Sequence, residues 1–266
     1  MSATKYPKVT DPSSLRILVS NDDGINAPGL KILKEVAEQL SDDVWVVAPE
    51  TEQSGASHSL TLSRPLRIRQ ISDRRYSVDG TPTDCVLLGV NHILKDKKPT
   101  LVLSGVNYNS NLGEEVTYSG TVAAAMEATL LGIPAIALSQ VIDRRHPPKW
   151  ATALHFAPDI IRNLLKTYWP KECLMNINFP DAIIHSVKGT KVVPQGFRDL
   201  SGGELWECKD PRNRPYYWIG PLPVQKSFTP RTDLSAIEES YISITPLHLD
   251  LTHHQTLNAL KKTFKE

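Results

Sequence analysis

Apolar residues in this chain arrive in two rhythms, short continuous runs and longer stretches at helical spacing. The runs Arg16–Ser20, Val44–Ala48, Thr100–Ser104, Ala135–Ser139 and Leu174–Phe179 are bounded by turn-forming residues, which predicts buried strands. Between them lie helical patterns. After Pro28, the residues Leu30, Leu33, Ala37 and Leu40 share one helix face. Asp84–Leu94, Ser119–Leu131 and roughly residues 150–167 predict further helices, the second of them closed by Gly132 and Pro134. Strands apolar on both faces, alternating with helices, predict an α/β fold: a Rossmann-like, mostly parallel sheet flanked by helices.

This rhythm stops beyond Gly189. Prolines, charges and the aromatic run Tyr216-Tyr217-Trp218 replace it, which suggests antiparallel strands and β-rich arms that find burial on another subunit. Ile242-Ser243-Ile244 reads as a strand with the same need for a neighbour. Thr252-His253-His254-Gln255 has the pattern of a capping box, and Leu257, Leu260 and Phe264 then share a helix face. The expected organisation is a loose N-terminal tail (1–14), a catalytic core (15–188) and a C-terminal arm region (189–266) that packs on the core and on a partner subunit.

Composition narrows the setting. A chain of 266 residues can bury a substantial core. Its net charge of +1 gives no general pull toward a nucleic acid polymer or a membrane surface, so any anion site must be local. Cys85, Cys173 and Cys208 are odd in number and lack CxxC spacing, which indicates neither a disulfide framework nor a zinc site. Residues 1–14 lack the apolar centre of a signal peptide, and no stretch approaches the roughly 18 apolar residues of a membrane span. The expected compartment is the reducing cytoplasm.

The candidate chemistry begins at Ser20-Asn21-Asp22-Asp23-Gly24, directly after the first strand. Successive strand residues point to opposite faces, so two adjacent carboxylates converge only where the strand breaks, and Gly24 supplies the break. Ligands of open parallel sheets gather at the C-terminal ends of the strands. Polar loops follow the second and third strands at that same edge. One carries Ser54 and His58; the other carries Asn107 and Asn111. Two carboxylates with neutral oxygens suit Mg²⁺ or Mn²⁺, one ion per subunit. Ser119-Gly120-Thr121 opens an alanine-rich helix whose unpaired N–H groups and close-approach glycine suit a phosphate, and a plain helix cap fits the same residues. In Gly80-Thr81-Pro82-Thr83-Asp84-Cys85, either Thr83 or Asp84 is the expected helix cap. His58, His253 and His254 read as incidental, and Cys85 as packing. No GxGxxG follows the first strand, which argues against a dinucleotide oxidoreductase.

Five segments together resemble the SurE (survival protein E) family of 5′/3′-nucleotidases. They are SNDDGINAPGL (20–30), VVAPETEQSGASHSLTL (46–62), VDGTPTDCV (78–86), LSGVNYNSNLG (103–113) and YSGTVAAAMEATLLGIPAIALS (118–139). LMNINFP, KGTKV, YYWIG and SITPLHLDLT extend the likeness over nearly the whole chain after the tail. The resemblance implies metal-dependent hydrolysis of nucleoside monophosphates at 5′ esters, with 3′ esters and polyphosphate as the further substrates to expect. It implies metal ligands at Asp22, Asp23, Ser54 and Asn107, with Asp22 and Asp23 catalytic. It places phosphate-side positions at Asn21, Asn111, Ser119, Gly120 and Thr121. A C-terminal arm exchanged within a homodimer, or a homotetramer, is implied as well. Many members carry basic residues just before the serine of the second loop, where this chain has Glu50-Thr51-Glu52-Gln53. The rival readings are a phospho-aspartate enzyme, which ordinarily spaces its aspartates by one residue, and a non-catalytic nucleotide sensor on the same frame.

Overall fold

The computed structural model describes residues 5–167, 169–198, 205–220 and 228–264. In chain order the elements begin with β1 (Arg16–Ser20), α1 (Pro28–Glu38), β2 (Asp43–Pro49), β3 (Ile68–Ser72), β4 (Arg75–Val78) and α2 (Pro82–Leu88). There follow β5 (Leu101–Tyr108), α3 (Gly120–Leu130), β6 (Ala135–Gln140), α4 (Trp150–Leu165), β7 (Cys173–Phe179) and β8 (Thr190–Val192). The last elements are β9 (Leu205–Lys209), β10 (Pro215–Ile219), α5 (Asp233–Glu238), β11 (Ile242–His248) and α6 (His254–Thr263).

Nine strands form one sheet in the order β3-β4-β2-β1-β5-β6-β7-β11-β8. Its centre is parallel, and β3 on β4 and β11 on β7 are antiparallel. From β1 the chain builds outward through β2 and β4, then returns to β5 and builds the other way. The strand order therefore reverses between β1 and β5, and that is where an open α/β sheet has its ligand crevice.

The apolar runs are continuous because both faces of the sheet are covered. Ile17, Val19 and Leu103 face α1 and α4, whereas Leu18, Val47 and Val102 face α2 and α3. On α1 the periodic residues Leu30, Leu33, Val36 and Ala37 are all buried. Each such leucine or valine side chain contributes about 1.5–3 kcal/mol on leaving water. α3 is buried around nearly its whole circumference, which its alanines permit by letting it lie close between the sheet and α2.

Several elements depart from the sequence expectation. Residues 5–14 do not form a loose tail: Tyr6 is buried, its N–H donates to the Trp169 carbonyl at 2.9 Å, and its ring meets Trp169 edge-on. Two aromatic rings sharing one pocket outweigh the polar composition around them. α2 starts earlier than expected because Thr81, rather than Thr83 or Asp84, is the cap. Thr81 and Asp84 close a reciprocal capping box over Pro82 at the first helical position. β5 runs on to Tyr108, since pairing with β6 resumes at Asn107 after an irregularity beyond Ser104.

Residues 189–266 are not wholly arms. β11 lies inside the main sheet between β7 and β8, with Ile242 fully buried in its own chain, so this strand needs no neighbour. Asp233 of α5, fully buried, accepts from the N–H groups of Gly113 (2.9 Å) and Gly196 (2.6 Å), tying this part of the chain to the segment after β5. The hairpin β9–β10 does project, and Tyr216, Tyr217 and Trp218 on it are exposed. α6 is exposed throughout, and its cap is His253 in place of Thr252, accepting from the Thr256 N–H. Among the described residues, no helix is long and apolar enough to cross a membrane.

Candidate active site

β1 ends at Ser20, and the next four residues form the turn that the sequence suggested. Asn21 is fully buried and donates from Nδ2 to the Gly24 carbonyl at 3.0 Å, while Gly24 takes φ +99°. That closes the turn beneath Asp22 and Asp23. Asp22 is 4% exposed, and its Oδ1 accepts a short hydrogen bond from the Thr121 hydroxyl. Asp23 Oδ2 accepts from the Tyr108 N–H at 3.0 Å. Each carboxylate is thus tethered to a neighbouring element, Asp22 to the start of α3 and Asp23 to the end of β5.

The neighbouring strand ends and loops converge on this pair. Asn107, on the last turn of pairing in β5, donates from Nδ2 to the Asn109 carbonyl at 2.9 Å, leaving its Oδ1 as the atom free to bind. The Gln53 N–H donates to the Asp22 carbonyl at 2.8 Å, which docks the second loop, and the Ser54 hydroxyl donates to Glu52 at 2.9 Å. Asn111 is held through its backbone by Asn176 and Asn178 of β7, and its Nδ2 donates to Ser139 at 2.8 Å. Ser119 caps α3, its Oγ accepting from the Val122 N–H at 3.0 Å. A side chain at Gly120 would lie 2.8 Å from the Asp22 Cβ, so the glycine is what lets the helix start reach the carboxylates.

Asp22, Asp23, Ser54, Asn107, Asn111 and Ser119 line one open cleft of ≈ 1070 Å³. Asn21, Gly120 and Thr121 stand behind it: Asn21 shapes the turn, Gly120 makes room, and Thr121 holds Asp22. The cleft also includes Glu52, from the acidic stretch noted before Ser54, and four residues that the sequence does not mark for the site: Tyr108, Glu115, Arg144 and Trp150. Tyr108 sat in plain view beside Asn107, whereas Arg144 and Trp150 come from beyond β6 and carry no motif. His58 lies outside this lining, paired with Glu127 at 3.0 Å, and ties the second loop to α3.

The electrostatics of the pair are uncomfortable without a cation. Burial pushes the Asp22 carboxyl above its usual range, opposed by the Thr121 hydroxyl. Burial, then the adjacent Asp22, raises Asp23 to about 6. Among the described lining residues, the carboxylates Asp22, Asp23, Glu52 and Glu115 stand with one arginine, Arg144, and Glu115 is in addition paired with Arg198 at 3.1 Å. Among the described residues, no three His, Cys, Asp or Glu side chains cluster closely enough to hold a metal alone. A divalent ion here would draw on neutral oxygens as well, and the paired carboxylates, the Asn107 carbonyl oxygen and the Ser54 hydroxyl make a hard donor set that fits Mg²⁺ or Mn²⁺ better than zinc.

Fold and cleft together define a class: a Rossmann-like α/β protein with an acidic, oxygen-rich ligand site at the switch point of its sheet. Comparison with known proteins narrows this. Residues 17–202 match the family model described as survival protein SurE. A protein named 5′-nucleotidase SurE from Paramagnetospirillum magneticum is 60% identical, with 97% of this chain and 99% of the relative covered. Another of that name from Parvibaculum lavamentivorans is 58% identical over 93% of this chain and 90% of the relative. The crystal structure of SurE protein from Aquifex aeolicus superimposes with a TM-score of 0.81 at 41% identity, covering 93% of this chain and 98% of that one. The chain belongs to the SurE family.

Proposed function

We propose that this chain is a 5′-nucleotidase that uses one divalent cation, Mg²⁺ or Mn²⁺, to hydrolyse nucleoside monophosphates to nucleoside and phosphate. The observation that carries the reading is the meeting of Asp22, Asp23 and Asn107 at the switch point with the N-terminus of α3. Relatives covering nearly the whole chain bear the name 5′-nucleotidase.

Asp22 and Asp23 would hold the cation, with Asn107 Oδ1 and Ser54 Oγ as the neutral ligands. When bound, the ion supplies a Lewis acid that polarises the phosphoryl group and lowers the pKa of water. The water oxygen forms the new bond to phosphorus, the ester P–O bond breaks, and the leaving nucleoside oxygen takes up a proton. Ser119 and the opening amides of α3 are suited to the equatorial phosphoryl oxygens, because unpaired N–H groups and the helix dipole both favour negative charge there. Asn111 lines the same wall on a backbone locked by β7.

The test is phosphate release from a panel of 5′- and 3′-nucleoside monophosphates and polyphosphate, with Mg²⁺ or Mn²⁺ and with EDTA, beside Asp22→Asn. Turnover abolished by EDTA and reduced roughly 10²-fold or more in the variant is the expected result. Full activity and full metal affinity in Asp22→Asn would end this assignment. Self-association as a homodimer or homotetramer belongs to the same reading. Its support is the exposed hairpin β9–β10, where Leu205, Trp218 and Ile219 are exposed, together with the wholly exposed α6.

A further inference from the structure

The phosphate side of the cleft says nothing about the rest of a substrate, yet its outer wall is aromatic. Tyr108 follows Asn107 directly, and the residue is 47% exposed although its backbone is locked. The Tyr108 N–H is committed to Asp23 at 3.0 Å, Asn107 reaches the Asn109 carbonyl at 2.9 Å, and the Asn109 N–H reaches the Gln140 carbonyl at 3.1 Å. Trp150, at the start of α4, stands beside it with ring centroids 6.3 Å apart and planes inclined by 53°. The indole is itself half-buried against the core and wedged on the backbone of α1, since a Cβ on Gly29 would lie 3.2 Å from its outer edge. Both rings line the same cleft as the carboxylates.

A large aromatic held half in water at a rigid strand end, one residue from a metal-ligand candidate, gains its burial only when something flat covers it. A phosphate group or a polyphosphate chain offers no such surface. A nucleobase does, and stacking on an aromatic side chain is tolerant of base identity because every base presents a π-face. Arg144, the single cation among the described lining residues, adds a planar guanidinium that favours an electron-rich ring.

We infer that Tyr108, backed by Trp150, is the base platform of this cleft, so that the site selects nucleoside monophosphates over sugar phosphates and polyphosphate. This rests on the phosphatase reading for its substrate and adds the residue that discriminates among phosphate esters. Tyr108 is a specificity residue here and takes no part in bond cleavage.

The test compares AMP with ribose 5-phosphate, the same ester without a base, in the wild type, Tyr108→Leu and Tyr108→Phe. Tyr108→Leu keeps bulk and removes the ring. The expected result is a fall of roughly 5- to 150-fold in the ratio of kcat/KM for AMP over ribose 5-phosphate, carried by KM, with Tyr108→Phe restoring it. Calorimetric titration of AMP and ribose 5-phosphate into each protein in EDTA, where hydrolysis is stopped, reads the same discrimination as a ratio of dissociation constants. An unchanged ratio in Tyr108→Leu by both measurements overturns the platform while leaving the phosphatase intact. AMP binding that depends on the Tyr108 ring, with no hydrolysis under any metal, leaves the platform standing and overturns the phosphatase.

Discussion

Asp22 has almost no contact with water, and the Thr121 hydroxyl is the side-chain donor that holds it in place. A buried carboxyl deprived of one donor bears more of its desolvation cost uncompensated. Thr121→Val is therefore expected to lower stability in EDTA by about 1–3 kcal/mol, read as a shift in the urea midpoint, and to weaken divalent-cation binding. Thr121→Ser, which keeps the hydroxyl, should recover most of both. An unaltered midpoint in Thr121→Val would show that the hydroxyl does not support Asp22. At this scale the sequence was most readable where chemistry forces adjacency. Asp22-Asp23 before a glycine can converge only in a turn, and they do. It was least readable where a side chain serves another: Thr121 reads as part of an anion site, and in the structure its hydroxyl is buried and donates to Asp22. Asn21 likewise sits beneath the turn. Tyr108 and Trp150 meet only in three dimensions.

At the scale of elements, periodicity located the parallel strands and the covering helices, because burial on both faces leaves continuous apolar runs. It missed β3, an edge strand whose residues are largely exposed, and β4, a four-residue Arg-Tyr-Ser-Val run too short and mixed to carry an apolar signal. It ended β5 too early because strand pairing resumes after an irregularity that no local pattern announces. The short segment after β5 is also fixed from afar. Arg198 donates to both oxygens of Glu114, at 2.9 Å from its backbone and 2.8 Å from its side chain. Burial works against the charged form of Glu114, but these bonds prevail and hold its carboxyl below the usual range. A depressed carboxyl stabilises the fold fully above its ordinary pKa and loses that contribution as pH falls through the lower, folded value. Glu114→Gln is thus expected to be less stable than the wild type at pH 7, with the gap closing as acid titrates the native carboxyl. Urea midpoints measured from pH 7 down to pH 3 check this; a gap independent of pH would assign the loss to packing alone.

For the whole molecule, the sheet and the arms have different needs. A truncation that removed everything beyond Gly189 would take β11 out of the sheet and so destroy the fold rather than test assembly. Removing residues 250–266 leaves every described sheet strand in place and deletes α6 with its approach, of which no described residue is buried. The expected outcome is a folded protein of altered oligomeric state, measured by light scattering beside circular dichroism. An unchanged, fully assembled oligomer would place the contacts on the hairpin or elsewhere. The sequence marked the aromatic hairpin as an arm, because exposed Tyr216, Tyr217 and Trp218 break the βα rhythm openly. It could not mark β11 as a core strand, since Ile242-Ser243-Ile244 reads identically whether its partner is its own β7 or a neighbour's edge.

The position of β11 bears on how the enzyme is made. Leu247 pairs with Leu174 inside the sheet, and Asp233 clamps the segment that follows Asn111. A ribosome that has released the first 190 residues has delivered every proposed metal ligand, yet the strand that borders β7 and the clamp on the site's wall are still to be synthesised. Chains grow at about 5–20 residues per second, so the nascent protein spends some seconds with its carboxylates made and its cleft unfinished. Competence to bind a cation is then expected only once β11 has been made, and a message cut short before that strand would yield an inert chain rather than a weakened enzyme.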